Sequence, residues 1–187
     1  MIVAGPNGSG KTTVAMQYAT AERIPYLGAD EIAASLDPAA PESVGIAAGR
    51  QFLRSVDQSI SDGHSCVVES TLSGRSFRNS IINAAGRGFE ITIVFLFVDS
   101  ADVCVERVAE RVRKGGHNVP ENDIRRRYHR SINNFWTSYR ELADNWVVLY
   151  NGSSQLQDVS IGSHQKITVR DENLHAICMA LLESNDD

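Results

Sequence analysis

Residues 5–12 read Gly-Pro-Asn-Gly-Ser-Gly-Lys-Thr and fit the phosphate-binding pattern G-x-x-x-x-G-K-[ST] at every fixed position. No other stretch of the chain restricts the fold so strongly. Glycines let the backbone curl until successive N–H groups of Asn7, Gly8, Ser9 and Gly10 point inward at one polyphosphate. Lys11 then meets the outer phosphates, and the Thr12 hydroxyl suits a magnesium ion that keeps most of its water. Thr13 adds a further helix-start amide. Such a loop works only between a strand that delivers it and a helix whose positive end faces the same anion. Met1–Ala4 reads as that strand and Lys11–Glu22 as that helix.

The remaining chain continues the alternation. A short helical stretch ends at Leu36, before Asp37-Pro38. Val44, Ala48, Phe52, Val56 and Ile60 recur every four residues, as on one helix face. Cys66–Val68 reads as a strand closed by Glu69, and Ser73 as the cap of a helix carrying Phe77, Ile81 and Ala84. Ile91–Val98 is apolar throughout, as expected of a strand covered on both faces. Helices are predicted over 101–114 and from Pro120 to Leu142, the latter with Tyr128, Phe135 and Tyr139 on a core stripe. Trp146–Tyr150 is a strand, and Asn151-Gly152-Ser153-Ser154 a polar turn. Leu156–Ile161 and Lys166–Val169 are weaker strands. A helix over 171–183 and a frayed Ser184–Asp187 end the chain. The expectation is an α/β three-layer fold of the P-loop NTPase and kinase kind. Its sheet is mostly parallel with helices on both faces, and a helical, arginine-bearing lid spans about 107–130. A length of 187 residues suits one domain across 1–187.

Composition narrows the setting. The longest apolar run is far short of the ~20 residues that span a bilayer, so no membrane segment is expected. The opening residues have no basic segment and do not read as a leader. Three dispersed cysteines suit free thiols in a reducing cytoplasm. Net charge is −5, yet seven Arg and one Lys crowd Arg107–Arg130 against three acids. That local excess suits one bound anion rather than a nucleic-acid coat.

Polar residues at the strand ends must select the reaction. Asp30 lies where the second strand would deliver it to the phosphates. There it reads equally as the acceptor of a hydroxyl proton or as a helix N-cap. Glu69 and Thr71 sit together at the sheet edge and suit a sugar or ribose, or in the case of Glu69 a magnesium-bound water. Asp99 imitates a Walker B aspartate but reads better, with Ser100, as a helix cap. Arg107 and Arg111 share one helix face, and Arg127 and Asn134 the next, around Gly115-Gly116-His117-Asn118. This outlines a lid that would lay arginines on a triphosphate and exclude water. Arg125 and Arg126 read as a solvated face, and His117 equally as a turn residue or a contact. A small-molecule kinase, an ATPase switch acting through a protein partner, and a kinase for nucleic-acid ends all remain open. The acidic remainder of the chain weighs against the last.

The blocks AGPNGSGKTT, GADEIA, VVESTLSG, RVAERVRKGGHNVPENDIRRRYHRSINNF and WVVLYNGS resemble the zeta-toxin family of P-loop kinases, in its small single-domain branch. The resemblance implies an ATP- and Mg²⁺-dependent kinase acting on a hydroxyl of a UDP-N-acetyl sugar, such as UDP-N-acetylglucosamine, and restrained by an antitoxin. By position it implies Lys11 and Thr12 on the phosphates and metal, with Asp30 as base. It implies Glu69 and Thr71 on the sugar, and Arg107, Arg111 and Arg127 as the cationic clamp. The larger toxins carry additional substrate-binding segments for which this chain has little room.

Overall fold

A computed structural model describes residues 1–152, 155–163 and 166–183. The predicted turn at Ser153-Ser154 and the frayed end at Ser184–Asp187 lie outside the described residues. Seven strands form one sheet: β1 (Ile2–Ala4), β2 (Tyr26–Gly28), β3 (Val67–Ser70), β4 (Thr92–Phe97), β5 (Asn145–Tyr150), β6 (Gln157–Ser163) and β7 (Lys166–Val169). Their order is β2-β3-β1-β4-β5-β6-β7. The first five are parallel; β6 and β7 turn back antiparallel. Val3, Ile93, Phe95, Leu96 and Phe97 are fully buried, as a central strand with both faces covered requires.

Helices cover the sheet: α1 (Lys11–Glu22), α2 (Ala29–Leu36), α3 (Gly45–Ser61), α4 (Phe77–Gly86), α5 (Ala101–Arg113), α6 (Glu121–Asn134) and α7 (Glu172–Glu183). The four-residue spacing in α3 is realised, with Ala48, Phe52, Val56 and Ile60 buried. Ser100 caps α5 by accepting a bond from the Val103 amide, as its sequence position predicts. Two expectations change. Ser73 does not cap the fourth helix, because α4 begins at Phe77 and the Ser73 hydroxyl pairs with Thr71 at 2.9 Å. The helix from Glu121 does not run unbroken to Leu142. It is α-helical to Asn134, widens to a π turn over Phe135–Tyr139, and closes as a 3-10 turn over Arg140–Leu142. The wide turn keeps three aromatics buried at once. Phe135 stacks on Phe95 at 4.4 Å, Trp136 meets Trp146 edge-on, and the Tyr139 hydroxyl donates to Gly74 O at 2.6 Å.

The buried stripe of α6 also fastens the loops at the C-terminal edge of the sheet. Tyr128 donates to Val98 O at 2.7 Å, Ser131 to Thr71 O, and Asn134 to Leu72 O at 2.8 Å. Leu72 needs this support, since its φ of 53° is left-handed and costs free energy for a residue with a Cβ. Asn134→Ala would leave the Leu72 carbonyl buried without its donor. The expected loss is about 1–3 kcal/mol, read as a drop of several degrees in Tm by circular dichroism. An unchanged Tm would show that this anchor carries no stability.

Candidate active site

The phosphate loop joins β1 to α1 and is braced from behind. Gly5, Gly8 and Gly10 all have positive φ. A Cβ on Gly8 would meet Cys104 O at 2.8 Å, and one on Gly10 would meet Asn151 Nδ2 at 2.4 Å. The loop thus lies flat on α5 and on the end of β5, where Asn151 donates to Ser9 O at 2.8 Å. Gly10 precedes α1 and offers no side-chain cap, so the first-turn amides of the helix keep their free donors toward the cleft.

Lys11 is only 5 % exposed, and its Nζ donates to Pro6 O at 2.7 Å. Burial holds its ammonium below the usual lysine range, while the Glu69 and Asp30 carboxylates pull it back up. Thr12 donates to Glu69 Oε1 at 3.1 Å, and Tyr26 to Glu69 Oε2 at 2.6 Å. The Tyr26 hydroxyl is pushed well above the usual tyrosine range by burial and by this bond, so it stays a donor. Glu69 is therefore oriented through both oxygens from residues on α1 and β2.

Lys11, Thr12 and Glu69 open onto one cleft of about 540 Å³. Its lining includes Asn7, Gly8, Gly10, Lys11, Thr12 and Thr13 from the loop and α1. Asp30 comes from α2, Glu69 and Thr71 from the end of β3, Arg107 and Arg111 from α5, and Arg127 from α6. Twelve of the thirteen residues given a nucleotide, metal, sugar or catalytic role in the sequence are thus brought together. The exception is Ser9, which is buried in the turn with its hydroxyl unpartnered among the described residues. Asp30 is not the cap of α2. That position belongs to Gly28, and Asp30 sits in the first turn with its side chain half exposed to the cleft.

The arginine-bearing helices wall the cleft. Arg111 Nε and Nη2 are buried without a partner among the described residues, a donor pair suited to an anion. Arg127 leans on Asp123 at 3.3 Å. Arg125 and Arg126 are exposed and paired with acids, as a solvated face should be. Asn134, grouped in sequence with the lid, is instead the buried anchor of Leu72. Tyr128, Ser131 and Asn134 pin α6 to the sheet edge. Asp99 accepts from the Tyr150 hydroxyl through both oxygens, at 2.8 and 2.9 Å, and does not line the cleft.

Several lining residues carried no signal in the sequence. Ile46, Gly49, Arg50 and Leu53 form the face of α3 opposite the loop. Ile46 is 77 % exposed at the mouth. The supports Tyr26 and Asn151 are equally silent, since each acts on a residue far away in the chain. Arg50 alone was findable in principle, as a cation on an apolar helix face with no acid three or four residues away. Among the described residues no group of three His, Cys, Asp or Glu could hold a metal by itself, and no helix is long and apolar enough to cross a membrane.

A mostly parallel sheet with a phosphate loop after its central strand, and helices on both faces, defines a P-loop kinase-like fold. A family model described as an AAA domain (AAA_33) matches residues 1–130, and the chain belongs to that family. An uncharacterised protein of Haemophilus influenzae is 31 % identical over 124 residues, covering 66 % of this chain and 88 % of its own. The structure of AvrRxo1-ORF1:AvrRxo1-ORF2 with sulphate ions superposes over 100 % of this chain and 66 % of that one, with a TM-score of 0.74 at 15 % identity. A structure from the PezAT chromosomal toxin–antitoxin system of Streptococcus pneumoniae matches 98 % of this chain and 85 % of that one, with a TM-score of 0.60 at 10 % identity. A gluconokinase from Sinorhizobium meliloti 1021 matches 98 % and 91 %, with a TM-score of 0.53 at 19 % identity. At these identities the three structures establish the fold alone.

Proposed function

We propose that this chain is an ATP-dependent phosphotransferase with a small-molecule alcohol as acceptor. One observation carries the reading. A half-exposed carboxylate, Asp30, shares a cleft with the buried Lys11 ammonium and three arginines, with an open face of α3 opposite. The nucleotide's phosphates fit the first-turn amides of α1, Lys11, and Arg111, whose Nε and Nη2 have no partner among the described residues, while the Ser9 amide already donates to Pro6 O. Magnesium fits beside Thr12, with Glu69 turned toward the Thr12 hydroxyl and able to hold a water of its shell. When bound, the metal neutralises charge between the outer phosphates. Asp30 accepts the proton of the acceptor hydroxyl, and Arg107, Arg111 and Arg127 stabilise the charge of the transferring group. The arginines also displace water that would waste ATP. The whole of residues 1–187 acts as one domain in this reading, with the 107–130 region as its cationic cover.

The acceptor we propose is a UDP-N-acetyl sugar such as UDP-N-acetylglucosamine. Its support is the resemblance of the arginine-rich block to zeta toxins, together with the PezAT likeness. Arg50 on α3 suits the diphosphate, and Ile46 and Leu53 suit apolar ring faces. Thr71 and Ser73 supply hydroxyls at the sugar end. By the same support the protein is a cytoplasmic toxin held by an antitoxin. ATP turnover with and without UDP-N-acetylglucosamine tests the reading. Strong stimulation, with a product heavier by one phosphate, is expected. Turnover indifferent to the sugar and lost only with a protein partner would instead favour a switch. Transfer to a different small alcohol would keep the kinase and discard the sugar.

A further inference from the structure

The cleft does not end at Asp30. On the other side of its carboxylate lies a second chamber of about 510 Å³, between α2, the start of α3 and the turn joining α5 to α6. Its lining includes Asp30, Ile46, His117, Asp123 and Arg127. His117 Nε2 stands 4.0 Å from Asp30 Oδ1, and the His117 side chain is 20 % exposed. Its Nδ1 is buried without a partner among the described residues.

The backbone explains how the imidazole reaches this place. Gly115, at φ 84°, donates to Val112 O, and Gly116 donates to Arg111 O, both at 2.9 Å. That pair of bonds ends α5 in a Schellman motif and reverses the chain toward α2. Gly116 must lack a side chain, because a Cβ there would meet Arg111 Cγ at 2.6 Å. The Gly-Gly pair therefore does two things: it packs against Arg111 and throws His117 over the carboxylate. Nε2 is thus the ring nitrogen that faces the Asp30 carboxylate.

We infer that His117 is a positioning residue for Asp30: its Nε2, at 4.0 Å just beyond hydrogen-bond distance from Oδ1, closes on that oxygen when the acceptor binds and donates to it, so that Oδ2 is the oxygen turned to the acceptor. The inference rests on the kinase reading above. In the transfer step the hydroxyl proton passes to Asp30 Oδ2, the acceptor oxygen bonds to phosphorus, and ADP leaves with the electrons of the broken P–O bond. His117 keeps its own proton throughout. Other charged or titratable groups around the pair are Lys11 from α1, Tyr26 from β2, Glu69 from β3, Arg107 and Arg111 from α5 and the Asp123–Arg127 couple from α6. None of these is an imidazole placed on the far side of the carboxylate, so none substitutes for His117.

The test uses the full chain with MgATP and UDP-N-acetylglucosamine, and a second readout that needs no turnover. His117→Ala should lower kcat about 10- to 100-fold, the scale of a misplaced reacting group, with KM for ATP within twofold of the starting value. His117→Gln, whose amide N–H reaches the same point, should recover most of that loss. In an Asp30→Asn background His117→Ala should cost nothing further. Independently, in ¹⁵N-histidine-labelled protein, Asp30→Asn should move the His117 Nε2 resonance, assigned by its loss in His117→Gln, and leave the other histidines in place. An unmoved resonance, or full kcat in His117→Ala, overturns the inference while leaving the kinase reading intact. Full transfer by Asp30→Asn removes Asp30 as the base, and with it the role of His117, but keeps the kinase. Absence of any transfer by the unsubstituted chain overturns the kinase reading, and the resonance still reports whether the two side chains interact.

Discussion

Lys11→Met protein is expected to fold normally, to bind MgATP weakly and to transfer phosphate a thousandfold or more slowly. The two halves of that result have different origins. Lys11 is a buried cation in the apo fold, and burial disfavours its charge. Exchanging such a group for an apolar one of similar length is often neutral or stabilising, so Tm should hold or rise. In transfer, however, the ammonium is a preorganised charge aimed at developing negative charge. Loss of one neutral donor of that kind typically costs ~10²–10³ in rate, and a full charge costs at least as much. Differential scanning calorimetry and a single-turnover assay on the same preparation separate the two. Undiminished transfer by Lys11→Met would remove the loop from the mechanism.

Asp30→Asn is the second large effect, and it should look different. Asp30 is half exposed and caps nothing. Its replacement should therefore change stability by no more than about 0.5 kcal/mol, as at other surface positions. Nucleotide affinity should stay within a few-fold, because no loop contact is lost. Transfer should fall ~10²–10⁴-fold, the usual worth of a positioned general base. Measuring KM for ATP and kcat for acceptor phosphorylation decides the matter. A variant that loses ATP binding along with transfer would mean that Asp30 serves the nucleotide rather than the acceptor.

What could be read in the sequence follows from the range of each interaction. The loop was legible because each of its positions answers a local demand: backbone curl at the glycines, charge at Lys11, a hydroxyl at Thr12. The strand–helix alternation was legible because burial on both faces imposes unbroken apolar runs such as Phe95–Val98. Asp30, Glu69 and the three arginines were placed because strand ends in parallel sheets converge on one edge. Contacts between residues distant in the chain were not legible. Tyr26 reaches Glu69 across 43 residues, and Asn151 reaches Ser9 across 142. Asn134 was misgrouped with the lid for the same reason, since Leu72, whose carbonyl needs it, is 62 residues away. The π turn at Phe135–Tyr139 was hidden because the apolar spacing alone continues the helix; only packing against Phe95 and Trp146 requires a wider turn. Similarly, Ser73 reads as a helix cap in sequence, and its pairing with the Thr71 hydroxyl takes it out of that role.

The central physical claim is that a curled backbone and a buried ammonium form a seat for a nucleotide's phosphates. Isothermal titration calorimetry of the purified chain with MgATP addresses it directly. The account predicts saturable binding at one site, much weakened by Lys11→Met and little changed by Asp30→Asn. Absence of heat with both adenine and guanine nucleotides, magnesium present, would contradict it.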